Sequence, residues 1–497
     1  MNNDTIFDLT VIGSGPAGFA AVNRALDYGM NICLVEGKNI GGTGIINGVL
    51  TSKTMYELSM DYSVAARVDR GYRAAALAVD YNEVKKTIIQ AAKEKQYQML
   101  SQIETFAPGK HKGKGSVTLK KGHASFIDPQ TIKIKTPEGG EETVKSKNFI
   151  VATGSKPREY PGLETDGERI ITSDHILNLE SFPERMLIVG SGIIGCEFAT
   201  IFSNFKQTEV HLLDRAHRVI PYEDDDVIDF VSDNLEKNGV MIHHTASLRE
   251  IRKQSGHLEI ILDYDNGYSK VFEVDVVLIA IGRKLNTNGL RLENLGIETN
   301  ERGALPINND CILENTKGIC NIYAAGDITG NYQLFSVAEH QGRLAVEKIA
   351  GNEWFEPDYS HLSTLMFFKP EVAAVGANEK MLRKNKIPYK AAYYSNKLVN
   401  RAIAMRNTGG FVKILVGNDD EQKLLGMRAA GPQASSLIVA AAHLISRGIS
   451  LKDALNVFYP HPSLPESIQE CLRSLHKSSV YKPEAFPEHI YIREWKP

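Results

Sequence analysis

Two short glycine runs, each followed by an acid, have the spacing to do chemistry. Gly13-x-Gly15-x-x-Gly18 leads to Glu36, 18 residues past Gly18, and Gly190-x-Gly192-x-x-Gly195 leads to Asp214, 19 residues past Gly195. In such a run the first glycine permits a tight turn and the second lets backbone amides approach a pyrophosphate. The third lets the following helix pack closely on its strand. The acid accepts hydrogen bonds from ribose hydroxyls. Two complete sets in one chain imply two dinucleotides. A carboxylate at Asp214 suits a free 2′-hydroxyl and repels a 2′-phosphate, which favours NAD(H) over NADP(H). Arg215 and Arg218 follow closely and could tolerate the phosphate.

Each set needs a strand, a helix and a second strand to hold it. "LTVI" before Gly13 is a short apolar run of the kind buried on both faces of a parallel sheet. A helical stretch from Ala17 to Tyr28 and an apolar strand from Asn31 to Val35 follow, with Glu36 closing the strand. "RMLIVGSGIIGCEFATIFSNFKQTEVHLLDR" repeats the unit around Gly190. Strands alternating with helices in this way predict an α/β chain with two Rossmann-like dinucleotide-binding domains.

With these units in place, the chain resembles the pyridine nucleotide–disulfide oxidoreductases, most closely their dihydrolipoamide dehydrogenase branch, from Phe7 to about Leu475. "GSGPAG" with Glu36 matches the family's FAD adenosine site, and "GSGIIGCEF" matches its NAD site. "VATGSKPR", with Thr153 and Gly154, matches the segment leaving the flavin domain. "AIGRKLNT", with Gly282 and Arg283, matches the return strand. "IYAAGDITG" matches the second FAD motif, where Asp327 is expected to bond the ribityl chain and Gly326 to let the backbone close in. "HPSLPES", from His461 to Ser467, matches the active-site histidine segment. The resemblance pairs Lys53 with Glu197 beside the flavin ring and His461 with Glu466 as an acid–base dyad.

The architecture it implies has an FAD-binding domain over 1–157 with a return segment over 284–352, and an NAD-binding domain over 158–283 between them. A C-terminal α/β interface domain takes 353–476, ahead of a tail over 477–497. The implied cofactors are FAD and NAD(H), and the implied assembly is a homodimer in which each histidine serves the partner's site.

One segment departs from the family. Relatives read GGTC, four residues, C, one residue, then PSK. Here "GGTGIINGVLTSK" places Gly44 and Val49 at the two cysteines and Thr51 at the proline, while Gly41, Gly42, Thr43, Gly48, Ser52 and Lys53 stay in register. In relatives one thiol attacks a substrate disulfide and the other relays electrons beside the flavin, and both steps need a thiolate. Glycine and valine supply none, so the segment predicts that the dithiol relay is absent. His461 then either protonates a different acceptor or stands as a remnant on a dimer surface.

The remaining five cysteines offer no replacement pair. Cys33, Cys196, Cys311, Cys320 and Cys471 form no CxxC, and no Cys/His cluster has metal-ligand spacing, so no metal is expected. Cys33 and Cys196 read as small buried hydrophobes. The formal net charge of -3 gives no basic footprint for nucleic acid. "MNNDTIFDL" lacks the charged start and apolar run of a signal peptide, and "LIVAAAHLI" at Leu437–Ile445 has the length of a buried helix rather than a membrane span. A cytoplasmic location is the expectation. Phe106–Gly122, containing the basic run Lys110–Gly115, reads as an extended surface loop, and the tail as an ordered or loose terminus, with wrapping of the dimer or binding of a partner as the alternatives.

Three functions fit this sequence. The leading one is an FAD enzyme that takes hydride from NADH and passes electrons to an acceptor needing no disulfide: a quinone, oxygen, a second nicotinamide or a redox protein. The second is dihydrolipoyl dehydrogenase activity through some other cysteine. The third is a flavin- and NADH-binding sensor that uses the tail as a partner site.

Overall fold

A computed structural model describes residues 5–73, 76–314, 321–353 and 358–497, and Cys320 lies outside them. The chain divides into two compact units. The first takes residues 1–58, 78–181 and 281–357, and the second 59–77, 182–280 and 358–497.

The first unit is built on a mixed sheet. Strand Ile6–Ile12 pairs in parallel with Asn31–Glu36 on one side and Glu141–Val151 on the other. Ile322–Ala324 joins the far end of Glu141–Val151 in parallel, while Thr131–Lys135 and His123–Asp128 continue from its near end as an antiparallel pair. Leu9, Ile32, Leu34 and Ile150 are fully buried in this sheet. Each contributes about 1.5–3 kcal/mol through loss of contact with water.

Helix Pro16–Asp27 covers the sheet, entered by Pro16, whose missing N–H costs nothing at a helix start. Helix Phe335–Ile349 lies against it. Gly342 allows that close approach, since a Cβ there would stand 2.1 Å from the Ala17 carbonyl oxygen.

The region 106–122 is not all loop. Ser116–Lys121 forms a parallel edge strand on Asn31–Glu36, with Ile32 opposite Val117. Val117 is buried and Leu119 packs against the same core, while Lys121 is exposed. That alternation suits a strand with one buried face, and its lysines suit an edge.

The second unit repeats the dinucleotide sheet and adds an antiparallel one. Met241–His243, Glu209–Leu213, Arg185–Val189 and Val276–Ile279 run parallel in that order. Ala246–Lys253, Leu258–Tyr264 and Ser269–Val274 form a small antiparallel sheet. The C-terminal part is a six-stranded antiparallel sheet ordered 363–366, 372–376, 424–430, 411–417, 389–395 and 490–495. Helices Ala434–Ser446 and Glu466–Leu475 pack on it around a core that includes Val412, Ile414, Met427, Leu437 and Ile468.

The tail is ordered and adds the last strand to this sheet. Ile490–Trp495 pairs antiparallel with Tyr389–Ser395. Ile490 is fully buried and Tyr491 stacks on Tyr393 with ring centres 4.4 Å apart. "IYIREW" is rich in the β-branched and aromatic residues that strands favour, a signal overshadowed by the prolines before it. Among the described residues no helix is long and apolar enough to cross a membrane.

Candidate cofactor and redox site

The two dinucleotide turns are built alike, atom for atom in their main contacts. Gly13 donates its N–H to the Val35 carbonyl at 2.8 Å, and Gly190 to the Leu213 carbonyl at 2.8 Å. A Cβ on Gly18 would stand 1.9 Å from the Gly13 carbonyl oxygen, and one on Gly195 1.8 Å from that of Gly190, so helix and turn touch where the sequence requires it. In front of Gly15 and Gly192 a Cβ would meet nothing within 4 Å. That open space at a helix N-terminus fits a pyrophosphate.

Each acid is held by a serine between the first two glycines. Ser14 donates from both its N–H (2.9 Å) and its hydroxyl (2.6 Å) to Glu36 Oε2, and the Lys38 N–H reaches Oε1 at 2.7 Å. In the second unit Ser191 donates its N–H (2.6 Å) and hydroxyl (2.7 Å) to Asp214 Oδ2, and the Ala216 N–H reaches Oδ1 at 2.8 Å. A carboxylate offers about four lone-pair sites. Three are used in each case, so the acid is oriented and one site stays available for a ribose hydroxyl. Ser14 and Ser191 were not singled out from sequence; the repeated "GSG" was the available signal.

A second group of predicted residues gathers in the first unit around Asp327. Ser155 donates its hydroxyl to Asp327 Oδ2 at 2.5 Å, Arg283 Nε donates to that hydroxyl at 2.6 Å, and its other nitrogen reaches the Ser155 carbonyl at 2.8 Å. Arg283 Nε stands 3.8 Å from Asp327 Oδ2. The strand pair Ser155–Pro157 with Arg283–Leu285 brings them together, and Gly282 accepts the Arg158 N–H at 3.0 Å. Thr153 donates its hydroxyl to the Asn286 carbonyl at 2.9 Å, and the Asn286 N–H reaches the Gly154 carbonyl at 3.0 Å. Gly326 donates its N–H to Gln341 at 2.8 Å.

Asp174, which no motif announced, belongs to the same unit. Its Oδ1 is buried without a hydrogen-bond partner. Burial pushes its carboxyl above the ordinary range against the pull of Arg283, His175 and Lys38.

The segment Gly41–Lys53 makes a tight turn with little room beside Gly44. Gly41 and Gly42 hold φ of +95° and +54°, a region that glycine enters without cost. They start the single helical turn Gly42–Ile45. Gly42 comes against Gly15, whose Cα would lie 3.2 Å from a Cβ on Gly42, so this turn packs on the first dinucleotide turn. At Gly44 a Cβ would meet Pro16 Cγ at 2.8 Å and Phe335 Cε2 at 2.9 Å. Gly44 and Ile45 are buried, and Ile46 and Leu50 pack on the core. Val49 opens helix Val49–Ala65 and is exposed. Lys53 and Thr43 sit half-buried in the first unit.

Of the remaining predicted residues, Glu197 lies buried on helix Ile193–Phe205 of the second unit, where its Oε1 accepts the Phe367 N–H at 3.1 Å. Lys53 and Glu197 thus belong to different units. His461 and Glu466 do meet: His461 Nδ1 stands 2.7 Å from Glu466 Oε1, and the Ser463 N–H donates to Oε2 at 2.8 Å. The glutamate fixes one imidazole nitrogen on an exposed ring, so Nε2 is the atom through which His461 can exchange a proton.

The described cysteines Cys33, Cys196, Cys311 and Cys471 are all buried and free. Burial pushes the Cys33 and Cys311 thiols up to about 12 and raises Cys196 and Cys471 as well. Among the described residues the single group of acids close enough to hold a metal is Asp224, Asp226 and Glu379. The Lys413 ammonium lies within 3.0 Å of a carboxylate oxygen of each.

Sequence and fold comparisons converge on one family. The profile described as "Pyridine nucleotide-disulphide oxidoreductase" matches residues 7–342, and its "dimerisation domain" profile matches 362–472. A dihydrolipoyl dehydrogenase of Chlamydia muridarum is 31% identical over 468 residues, covering 93% of this chain and 95% of that protein. One from Bacillus subtilis is 30% identical over 465 residues, covering 93% and 95%. The crystal structure of LpdA from Mycobacterium tuberculosis matches with a TM-score of 0.85 at 25% identity, over 94% of this chain and 99% of that one. The HOCl-induced flavoprotein disulfide reductase RclA from Escherichia coli, as its Cu(II) complex, shares the fold at a TM-score of 0.82 and 24% identity, over 95% and 99%.

Proposed function

Because the chain belongs to the pyridine nucleotide-disulphide oxidoreductase family, whose members are FAD-dependent oxidoreductases using NAD(P)H, we propose that it oxidises NADH and delivers the electrons to an acceptor outside the disulfide class. The observation that carries this reading is the closed, thiol-free position at Gly44, walled by Pro16 and Phe335. The buried, protonated state of the described cysteines supports it, since none offers a thiolate in exchange.

The residues divide the work as follows. Gly13, Gly15, Gly18, Glu36, Gly42, Thr43, Thr153, Gly154, Gly326 and Asp327 hold FAD, with Arg283 fixing Asp327 through Ser155. Gly190, Gly192, Gly195 and Asp214 hold the nicotinamide dinucleotide, and the oriented Asp214 carboxylate favours NADH over NADPH. Bound FAD supplies two-electron chemistry between the nicotinamide and the acceptor. Lys53 places positive charge for the reduced cofactor. His461 Nε2, with Nδ1 committed to Glu466, holds a proton for the acceptor in a homodimer formed through the C-terminal domain.

The test is rapid-mixing reduction of the holoenzyme by NADH, then turnover with a quinone, dioxygen, a second nicotinamide and lipoamide. Fast reduction with turnover on a non-disulfide acceptor is expected. NADH-dependent lipoamide reduction at a rate matching those acceptors overturns the reading.

A further inference from the structure

A half-buried lysine of the second unit lines a pocket and has no acid to answer its charge. Lys369 Nζ donates to the Ser63 hydroxyl and, at 3.2 Å, to Asn238 Oδ1. Both acceptors are neutral, and among the described residues no carboxylate pairs with this ammonium. The groups behind them are neutral as well. Asn238 Nδ2 donates to the Ser203 hydroxyl at 2.6 Å and to Asn204 Oδ1 at 3.0 Å, and Asn204 Nδ2 donates to the Ser59 hydroxyl at 3.1 Å. Ser59, Ser63, Ser203 and Asn204 are all buried. The charges that bear on Lys369 are two further cations, Lys206 and Arg67, and Arg67 is itself paired with Asp69 at 2.8 Å. Burial first, then these two cations, push the Lys369 amine down to about 8. An ammonium in such a place is short of negative charge.

The pocket supplies room for that charge. It holds about 240 Å³ of empty space, its mouth to solvent included. Lys369 is the one charged residue in its lining, and two of its three N–H bonds are already used, so one is left to donate. The other polar side chains of the wall point their donors elsewhere: the Thr200 hydroxyl to the Cys196 carbonyl at 2.8 Å, and Asn234 Nδ2 to the Phe230 carbonyl at 2.6 Å. The rest is apolar, from Phe230, Val231, Leu235, Phe368 and Pro370. Thr200 stands seven residues past Ile193 on helix Ile193–Phe205, about 10 Å from the end that faces the dinucleotide. The pocket is therefore not the seat of the nicotinamide cofactor.

One cation beside an apolar wall asks for a ligand with one negative charge and a hydrocarbon end. Inorganic phosphate brings four oxygens, and up to two charges at neutral pH, to a single charged donor. Chloride leaves the apolar wall unfilled. We propose that this pocket is a binding site for a short-chain monocarboxylate, with the carboxylate on the Lys369 ammonium and the chain against Phe230, Val231 and Phe368. The site lies outside the hydride-transfer machinery and stands whether or not the acceptor reading above is right. Binding balances as Lys–NH₂ + H⁺ + RCOO⁻ → Lys–NH₃⁺···RCOO⁻ above the pKa of the amine, so a proton is taken up there.

Calorimetry on the FAD-loaded protein tests it, with butyrate, chloride and inorganic phosphate as probes at constant ionic strength. Butyrate is expected to saturate one site per chain, and the two inorganic anions to bind at least about ten-fold more weakly. Lys369→Met should weaken butyrate by about ten-fold or more, the loss of one charge-assisted hydrogen bond. In the wild type at about pH 9, binding measured in buffers of different ionisation enthalpy should show proton uptake, a readout that needs no variant to fold. Absence of saturable butyrate binding overturns the inference. Chloride or phosphate binding as tightly as butyrate overturns the carboxylate assignment. Unchanged butyrate affinity in Lys369→Met, or wild-type binding without proton uptake, removes Lys369 from the site and overturns it too.

Discussion

Lys413 reaches Asp224 across 2.7 Å, with the two side chains only 1% and 2% exposed. Asp226 at 2.6 Å and Glu379 at 3.0 Å complete a buried carboxylate shell around this one ammonium. Burial works against the Lys413 charge, but Asp226, Asp224 and Glu379 raise its pKa above the ordinary value. Asp224, also opposed by burial, is lowered by Lys413 and Arg428. Asp226 goes the other way: burial and its acidic neighbours raise it despite Lys413. Removing the cation by Lys413→Met takes the buried counter-charge from three acids, leaving Arg493 and Arg428 nearby, and the expected loss is about 3–5 kcal/mol. Asp226→Asn is expected to be neutral or stabilising at pH 7, because its ionisation is already disfavoured, while Asp224→Asn destabilises. Urea unfolding of the three variants checks this, and a Lys413→Met protein of wild-type stability would contradict it.

A histidine pair sets a second, pH-dependent expectation. His211 Nδ1 lies 2.9 Å from His243 Nε2, and His243 Nδ1 lies 2.6 Å from the Tyr264 hydroxyl. Burial, with His211 nearby, pushes His243 down to about 4 from 6.5, and burial lowers His211 against the pull of Glu209. Between those values the unfolded chain binds protons that the folded chain does not. Stability is therefore full above about 6.5 and falls as pH drops toward 4. His243→Phe costs stability at pH 7 by taking their hydrogen-bond partner from the Tyr264 hydroxyl and His211 Nδ1, but it flattens the slope in that window. An unchanged slope in unfolding curves from pH 7 to 4 would count against the pair.

The last strand is expected to be structural. Deleting residues 488–497 uncovers the Tyr389–Ser395 edge, empties the place of buried Ile490 and removes Arg493, which stands 3.3 Å from Glu379. An open edge also invites pairing between molecules. The truncated protein should melt at a lower temperature and aggregate, as read by calorimetry and light scattering. Wild-type melting would show the strand to be dispensable.

Thiol labelling tests the proposed lack of a dithiol relay. Cys33, Cys196, Cys311 and Cys471 are buried with raised pKa, so native protein should resist iodoacetamide at all four, and denatured protein should label at all five cysteines. Mass spectrometry of digests reads the positions. Fast native labelling at any of the four would reopen the disulfide route.

Ser14 and Ser191 make parallel contacts, and their removal should have parallel effects. A hydrogen bond to a charged group is worth about 1.5–3 kcal/mol, and the backbone N–H to each acid remains in the alanine variants. Ser191→Ala should raise the KM for NADH roughly several-fold, about 1 kcal/mol, with kcat little changed. Ser14→Ala should loosen FAD retention on dilution instead. Equal NADH affinity in Ser191→Ala would show that Asp214 needs no such support.

The sequence alone determined the two dinucleotide units, because a turn, a helix start and a strand-ending acid are local and each demands its own residue type. Gly13 to Glu36 and Gly190 to Asp214 could be read in order, and so could the absence of cysteine from Gly44 to Val49. The partners that arrive from far along the chain were decided by tertiary structure. Phe335 meets Gly44 across nearly 300 residues because Gly342 lets two helices touch. Lys413 gathers acids from positions 224, 226 and 379, and the tail becomes a strand because Tyr389–Ser395 presents an unpaired edge. Local propensity carries no record of such meetings, since they depend on which surfaces the packed elements bring into contact.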